Sequence, residues 1–177
     1  PYEPMVRRVL AASDWPREIA PQRREHDVPD RTLLSTSFNS DNRFGSVDVT
    51  IAGLDLAQEL HAALTQMQRA GAEYVQVRLP ANQPGLSTVA AGLPELGLAY
   101  AAVIPAFRPT EHDAGDVLVV QWIADLDIDP SSWVFANDDV RDLVHDIVEQ
   151  IRDAGSRGSV RQRRAAQRAQ LFAALES

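Results

Sequence analysis

Hydrophobic and polar residues follow two different periods along this chain, and together they predict a mixed α+β fold. Alternation with a period of two, or a short apolar run, predicts strands at 32–38, 45–52, 73–79, 98–104 and 116–122. Apolar residues at helical spacing predict helices at 2–13, 54–70, 86–96, 138–153 and 160–175. We therefore expect a mostly antiparallel, twisted sheet of about 5–6 strands flanked by helices, with further helices at both ends.

Polar, glycine and proline residues separate these elements. Residues 80–85, with the sequence Pro-Ala-Asn-Gln-Pro-Gly, end a strand, and Gly97 is placed to end the next helix in the left-handed conformation. We expect a linker or exposed loop at 21–30, a long loop at 105–115 and a flexible connector at 155–158.

The breaks indicate a single domain followed by a tail. The domain covers 1–155, with an N-terminal helix and loop at 1–30 and the sheet and helix core at 31–155. The tail, 156–177, is a basic helix with five arginines and one glutamate, a net charge of +4. Since the whole chain carries −8, the rest of it carries −12.

The order of elements between residues 73 and 122 resembles the second half of the GNAT N-acetyltransferase superfamily. A strand is followed by a loop containing Asn82, a helix that ends at Gly97-Leu98, and a closing antiparallel hairpin. The resemblance extends over residues 44–129. It implies a degenerate GNAT-like domain of the kind found at the C-terminus of larger bacterial regulatory proteins. The absence of methionine at Pro1 fits a fragment and fits a trimmed chain equally well.

The resemblance also implies a place for acetyl-CoA or CoA. Family members hold the diphosphate at a helix start, on backbone N–H groups of a loop of the form Gln/Arg-x-x-Gly-x-Gly/Ala. The corresponding residues are Ile51, Ala52, Gly53 and Leu54, and Asn82 is the loop asparagine. The segment has one glycine and lacks the phosphate-loop motif. Asp55 follows it, a residue suited to cap the helix but one that would repel a diphosphate.

The catalytic residues stay unassigned, and two functions are open. The tyrosine that family members carry about seven residues after the asparagine is replaced by Val89, and Tyr100 lies on the next strand. One function is an acetyl-CoA-dependent N-acetyltransferase with a divergent cofactor loop, whose strand amides at 48–51 would hold the acyl carbonyl. The other is a non-catalytic regulatory or dimerisation module that binds a small effector or a protein partner.

Metal chemistry has little support in this sequence. Residues 125–129 alternate aspartates as an EF-hand loop does, but Pro130 replaces the required glycine and Ala136 the required glutamate. A strand end with its apolar residues facing inward explains the same pattern, so no metal is expected. Of the four histidines, His112 is the one that we retain as a candidate functional residue, because the loop at 105–115 borders the acceptor side in GNAT-like folds.

Composition and charge exclude several kinds of chemistry and binding partner. The chain has no cysteine, which excludes disulfides, thiol catalysis and thiolate metal sites. It has no apolar run of about 18 residues, so we expect no membrane insertion and a cytoplasmic location. The acidic body would oppose nucleic acid, which makes nucleic acid an unexpected partner for the basic tail. A homodimer, or the other domains of a larger host protein, are the partners left open.

Overall fold

The computed structural model describes residues 1–13, 19, 28–110 and 113–175. Its helices and strands, in chain order, are α1 (Glu3–Ala12), β1 (Leu33–Asn39), β2 (Phe44–Ile51), α2 (Leu56–Arg69), β3 (Tyr74–Pro80), α3 (Leu86–Val89), β4 (Ala99–Thr110), β5 (Asp113–Ile123) and α4 (Asp138–Leu175). Two 3₁₀ helices, Ala90–Leu96 and Pro130–Ser132, precede β4 and α4. None of the described helices has the length and apolar character that crossing a bilayer requires.

The strands form one mixed sheet in the order β1-β2-β3-β5-β4. β2 and β3 are parallel, and the other neighbouring pairs of the described sheet are antiparallel. A parallel pair needs a crossover, and α2 supplies it. β5 folds back between β3 and β4. The described residues thus form a mostly antiparallel five-stranded sheet flanked by helices, so the predicted α+β fold class is confirmed.

β2 and β3 separate before either strand ends. Their pairing runs from Phe44 opposite Tyr74 to Asp48 opposite Arg78. Beyond that point β2 continues beside β1 alone, and β3 continues beside β5 alone. An ion pair of 3.1 Å between Arg78 Nη1 and Asp48 Oδ1 lies at the last paired position. The carboxyl ends of the two parallel strands are therefore left with an opening between them.

The core lies between one face of this sheet and helix α2. The alternating residues of β3 and the i, i+4 stripe of α2 meet there, as their periods predict. Fully buried members include Val47, Val49, Leu56, Leu60, Val75, Val77, Leu79, Leu93, Leu98 and Val120. Each such side chain contributes about 1.5–3 kcal/mol to stability. Helix α1 joins the core through Tyr2, whose hydroxyl donates to the Leu98 carbonyl at 2.7 Å.

The predicted flexible connector at 155–158 is wrong, because α4 is continuous from Asp138 to Leu175. A Cβ atom at Gly155 would lie 2.5 Å from the Leu126 side chain, and one at Gly158 would lie 3.0 Å from the Gly97 backbone. Both glycines mark places where the helix packs closely on the domain. This packing outweighs the cost of glycine in a helix, about 1 kcal/mol each.

The predicted loop at 105–115 is also wrong, because β4 and β5 continue into it as a hairpin that pairs Thr110 with Asp113. Its prolines suggested a loop. However, β4 is the edge strand, where the missing N–H of proline removes no ladder hydrogen bond. His112 lies outside the described residues.

Smaller differences concern element ends. β5 ends at Ile123, so residues 125–129 are not a strand, although Leu126 and Ile128 do pack inward and the aspartates are exposed. The predicted helix at 86–96 is one short α-helix followed by a 3₁₀ helix that contains Pro94. Gly97 does end it in the left-handed region, with a φ of +83°. Most of the predicted linker at 21–30 lies outside the described residues.

Candidate functional site

The junction between β2 and α2, residues 51–55, is covered by an earlier segment of the chain. Residues 29–32, which we call the strap, run directly over it. The Gly53 N–H donates to Thr32 Oγ1 at 3.0 Å, and the Leu54 N–H donates to the Pro29 carbonyl at 2.9 Å. These two donors precede a helix start, where N–H groups are otherwise free for a ligand. The strap therefore uses donors that an anion would need.

Gly53 allows the strap to lie directly against the junction. A Cβ atom at Gly53 would lie 2.4 Å from the carbonyl carbon of Arg31 and 2.7 Å from the nitrogen of Thr32. Only a residue without a side chain can approach the strap backbone so closely. The space that a glycine would open for a phosphate group is filled here by the protein itself.

Asp55 holds the strap from the helix side. Its Oδ1 accepts the backbone N–H of Thr32 at 2.7 Å, and its Oδ2 lies 3.6 Å from Arg31 Nη1. Asp55 stands at the N-cap position, but its side chain makes no hydrogen bond to the helix. The expected capping bond is thus replaced by a bond to the strap. The hydrogen bond to Thr32, aided by Arg31, lowers the pKa of Asp55. The carboxylate is therefore ionised at neutral pH beside the helix start.

Gln83 closes the opening between β2 and β3. The Ala52 N–H donates to Gln83 Oε1 at 2.7 Å, and Gln83 Nε2 donates to the Ala52 carbonyl at 2.5 Å. The side-chain amide thus satisfies both backbone groups of Ala52, as a neighbouring strand would. This role of Gln83 was not predicted from the sequence. The signal was available, since parallel strands end at one edge of the sheet and the loop after β3 must lie beside the end of β2.

The other expected binding residues are engaged in different ways. Ile51 pairs with Leu33 at the end of the β1–β2 ladder. Asn82 is exposed in the turn after β3, and its side-chain amide lies beside Gly115 of β5. Because β3 separates β5 from β2, the Asn82 side chain and the junction lie on opposite sides of that strand. The structure brings 51–54 together with Gln83, and places the side chain of Asn82 elsewhere.

Tyr100, on the strand after the position of the family tyrosine, is buried. Tyr100 has 1% of its surface exposed, and burial raises the pKa of its phenol to about 12. Val89, at the spacing of the family tyrosine, packs against the core. Among the described residues, no group of three histidine, aspartate or glutamate side chains forms a metal-binding set.

A diphosphate does not fit the junction as it stands. Such a group needs several free N–H donors, room close to the backbone and a positive helix end. The N–H groups of residues 52–54 each donate to an oxygen of this chain, and the strap occupies the space at Gly53. Asp55 adds a negative charge at the helix end. The residues present therefore hold the strap at the position that the sequence resemblance implies for a diphosphate.

No protein-family model matches this sequence, and no curated protein matches it. Solved structures match part of the chain at low identity. They include the N-terminal domain of a ribosomal-protein-alanine acetyltransferase from Clostridium acetobutylicum ATCC 824 (15% identity over 52% of this chain and 71% of that chain, TM-score 0.38). Nourseothricin acetyltransferase follows (15%, 53% and 58%, TM-score 0.37). The third is the ribosomal-protein-S18-alanine N-acetyltransferase from Escherichia coli (13%, 59% and 66%, TM-score 0.36). The matched part spans less than two thirds of the last two chains.

Proposed function

We propose that this chain, which has a GNAT-like fold, is a protein-association domain that does not bind acyl-CoA. The observation that supports this most strongly is the closed junction, where the N–H groups of Ala52, Gly53 and Leu54 all donate to the chain's own oxygens. Such a domain keeps a rigid sheet to which another protein can bind, although its own backbone fills the position of the family ligand.

The energetic argument follows from what a ligand would have to displace. Binding would break the strap's bonds to Gly53 and Leu54 and the Gln83 bond to Ala52, each worth about 0.5–1.5 kcal/mol net. The resulting opening cost of about 1.5–4.5 kcal/mol lowers apparent affinity by roughly one to three orders of magnitude. The charge of Asp55 opposes a diphosphate further.

Exposed surfaces support the association role. β1 is the other edge of the sheet, and all its residues except Leu34 are exposed. The strand contains no charged residue and no proline, the features that usually prevent an edge from pairing with another chain. Phe38 and Leu33 add apolar surface there. Such an edge suits recognition by a protein strand.

A second candidate is an N-acetyltransferase whose cofactor site opens when the strap moves. One observation favours it: past Asp48, β2 has no ladder to β3, and Gln83 bridges to Ala52 by its side chain alone. If the strap and Gln83 moved, strand amides at 48–51 would be available to hold an acyl carbonyl. This candidate differs from the first in a measurable affinity for CoA.

Isothermal titration calorimetry with CoA and acetyl-CoA separates the two. We expect no heat from the native chain. A variant carrying Thr32→Ala, Asp55→Asn and Gln83→Ala opens the junction, and Ser35→Ala on β1 serves as its matched control. Micromolar binding by the native chain would overturn the proposal. Binding by the triple variant alone would show a closed cofactor site and favour the second candidate.

A further inference from the structure

Helix α4 carries a stripe of acidic residues on its exposed side. Asp142, Asp146, Glu149 and Asp153 follow one another at intervals of four, three and four residues, which places them on one side of the helix. The side chains of Asp142 and Asp153 are 59% and 61% exposed. The opposite side, with buried residues such as Ile151, packs on the domain. The acidic stripe therefore lies on the side of α4 opposite this packing, although Asp146 also bonds to Arg8 of α1.

The same helix continues with a basic stripe of identical spacing. Arg157, Arg161, Arg164 and Arg168 also follow at intervals of four, three and four. Arg157 bonds to Asp153 and lies 3.7 Å from Glu95 Oε1. Arg161 and Arg164 are exposed, and within the described part of the chain no carboxylate lies at ion-pair distance from either. Along α4 an acidic block is thus followed by a basic block, of which Arg161 and Arg164 are exposed.

We propose that two copies of this chain pair through antiparallel α4 helices, which deepens the proposed association function by naming the partner. Because both blocks have the same spacing, one antiparallel alignment opposes every acid of one copy to an arginine of the other. The opposed positions are 142 with 168, 146 with 164, 149 with 161, and 153 with 157, each occurring twice by symmetry. Such a self-complementary surface is what a two-fold interface requires.

The charges on α4 favour a second copy of this chain over nucleic acid as the partner. Nucleic acid would use the arginines but would meet the acidic block of the same helix and a chain of net charge −8. A second copy uses both blocks. A helix of 38 residues is about 57 Å long, which is enough to separate the two blocks along a shared interface.

Exposed ion pairs are individually weak, and three of these four acids already have partners within the chain. Arg141 pairs with Asp142, Arg8 with Asp146 and Arg157 with Asp153. The association must therefore depend on all the pairs together and respond strongly to ionic strength. We expect the dissociation constant to rise at least about tenfold between about 20 mM and about 0.5 M NaCl.

A charge-swap experiment tests the pairing by sedimentation velocity. The first variant reverses two arginines of the basic block (Arg161→Glu with Arg168→Glu), and the second reverses two acids of the acidic block (Asp142→Arg with Glu149→Arg). Each alone should dimerise at least about tenfold more weakly than the native chain. An equimolar mixture should form a heterodimer, since each reversed position then meets its opposite charge.

The control for net charge is Arg7→Glu with Arg43→Glu, two exposed residues whose ion-pair partners, Glu3 and Glu73, lie outside α4, and it should leave dimerisation unchanged. Far-UV circular dichroism checks that the variants stay helical, and the salt response of the native chain tests the pairing without any substitution. A monomeric native chain at low salt would overturn the proposal. A mixture of the two variants that fails to associate would also overturn it. Loss of the dimer in the first variant but not in the second would overturn it too, and would indicate that the arginines bind an anionic partner. CoA calorimetry reports on the junction separately, so failure of one proposal is distinguishable from failure of the other.

Discussion

The polar groups of the β2–α2 junction are bonded within the chain, whereas many of those on the exposed side of α4 face solvent. At the junction, backbone donors, a carboxylate and an amide side chain bond to one another within the chain. On α4, charges are sorted into two blocks along the surface, and Arg161 and Arg164 have no described carboxylate beside them. The first arrangement closes a site, and the second leaves one available. The position that family resemblance marks for a ligand is therefore the less accessible of the two.

Gly53→Ala, which tests how tightly the strap packs on the junction, should have the largest effect on stability. The new methyl group would overlap the Arg31 and Thr32 backbone, so either the strap moves or the junction distorts. We expect the free energy of unfolding to fall by about 2–3 kcal/mol, measured by urea denaturation. Gly92→Ala is the matched control, since no atom lies within 4 Å of its added carbon, and it should change stability by less than about 0.5 kcal/mol. Equal effects of the two substitutions would contradict a tightly packed strap.

Gln83→Leu should have the next largest effect. Leucine keeps much of the volume but leaves the N–H and the carbonyl of Ala52 without their partner. We expect a loss of about 1–2 kcal/mol in the free energy of unfolding. Gln58→Leu changes an exposed residue of α2 in the same way and should cost little. If both variants were as stable as the native chain, the amide bridge would not be a structural bond.

Asp55→Asn should change how stability depends on pH more than stability itself. The pKa of Asp55 is lowered in the folded chain, so the unfolded chain binds its proton more readily. The stabilising contribution is present above the ordinary pKa of 3.8 and is lost as pH falls through the lowered folded value.

In Asp55→Asn this part of the acid destabilisation should be absent. The test is a series of urea unfolding curves of both proteins from neutral pH downward. Parallel pH profiles for the two proteins would show that the Asp55 bond to the strap contributes nothing.

Much of the fold could be predicted because its signals are local. The alternation along β3 and the stripe of α2 reflect burial on one face, and both appear in the structure as predicted. Gly97 was assigned correctly for the same reason, since a left-handed helix end depends on a single residue. The order of elements then constrained the sheet.

The errors arose where distant contacts decide the outcome. Gly155 and Gly158 suggested a connector, but both lie in a continuous helix, where they pack closely against Leu126 and Gly97. Prolines suggested a loop that is instead an edge strand. At the junction, Asp55 was assigned as a cap, and its bond to Thr32, 23 positions away, could not be predicted from local sequence. Periodicity shows which face of an element is buried but not which segment covers it.

In this structure the chain's own oxygens accept hydrogen bonds from the N–H groups at the β2–α2 junction. Amide hydrogen exchange followed by NMR, with and without CoA, tests it at the atoms concerned. We predict slow exchange at the N–H groups of Ala52, Gly53 and Leu54, with the same rates when CoA is added. Fast exchange of these amides, or protection that develops only with CoA, would contradict the claim and show that the junction is open to a ligand.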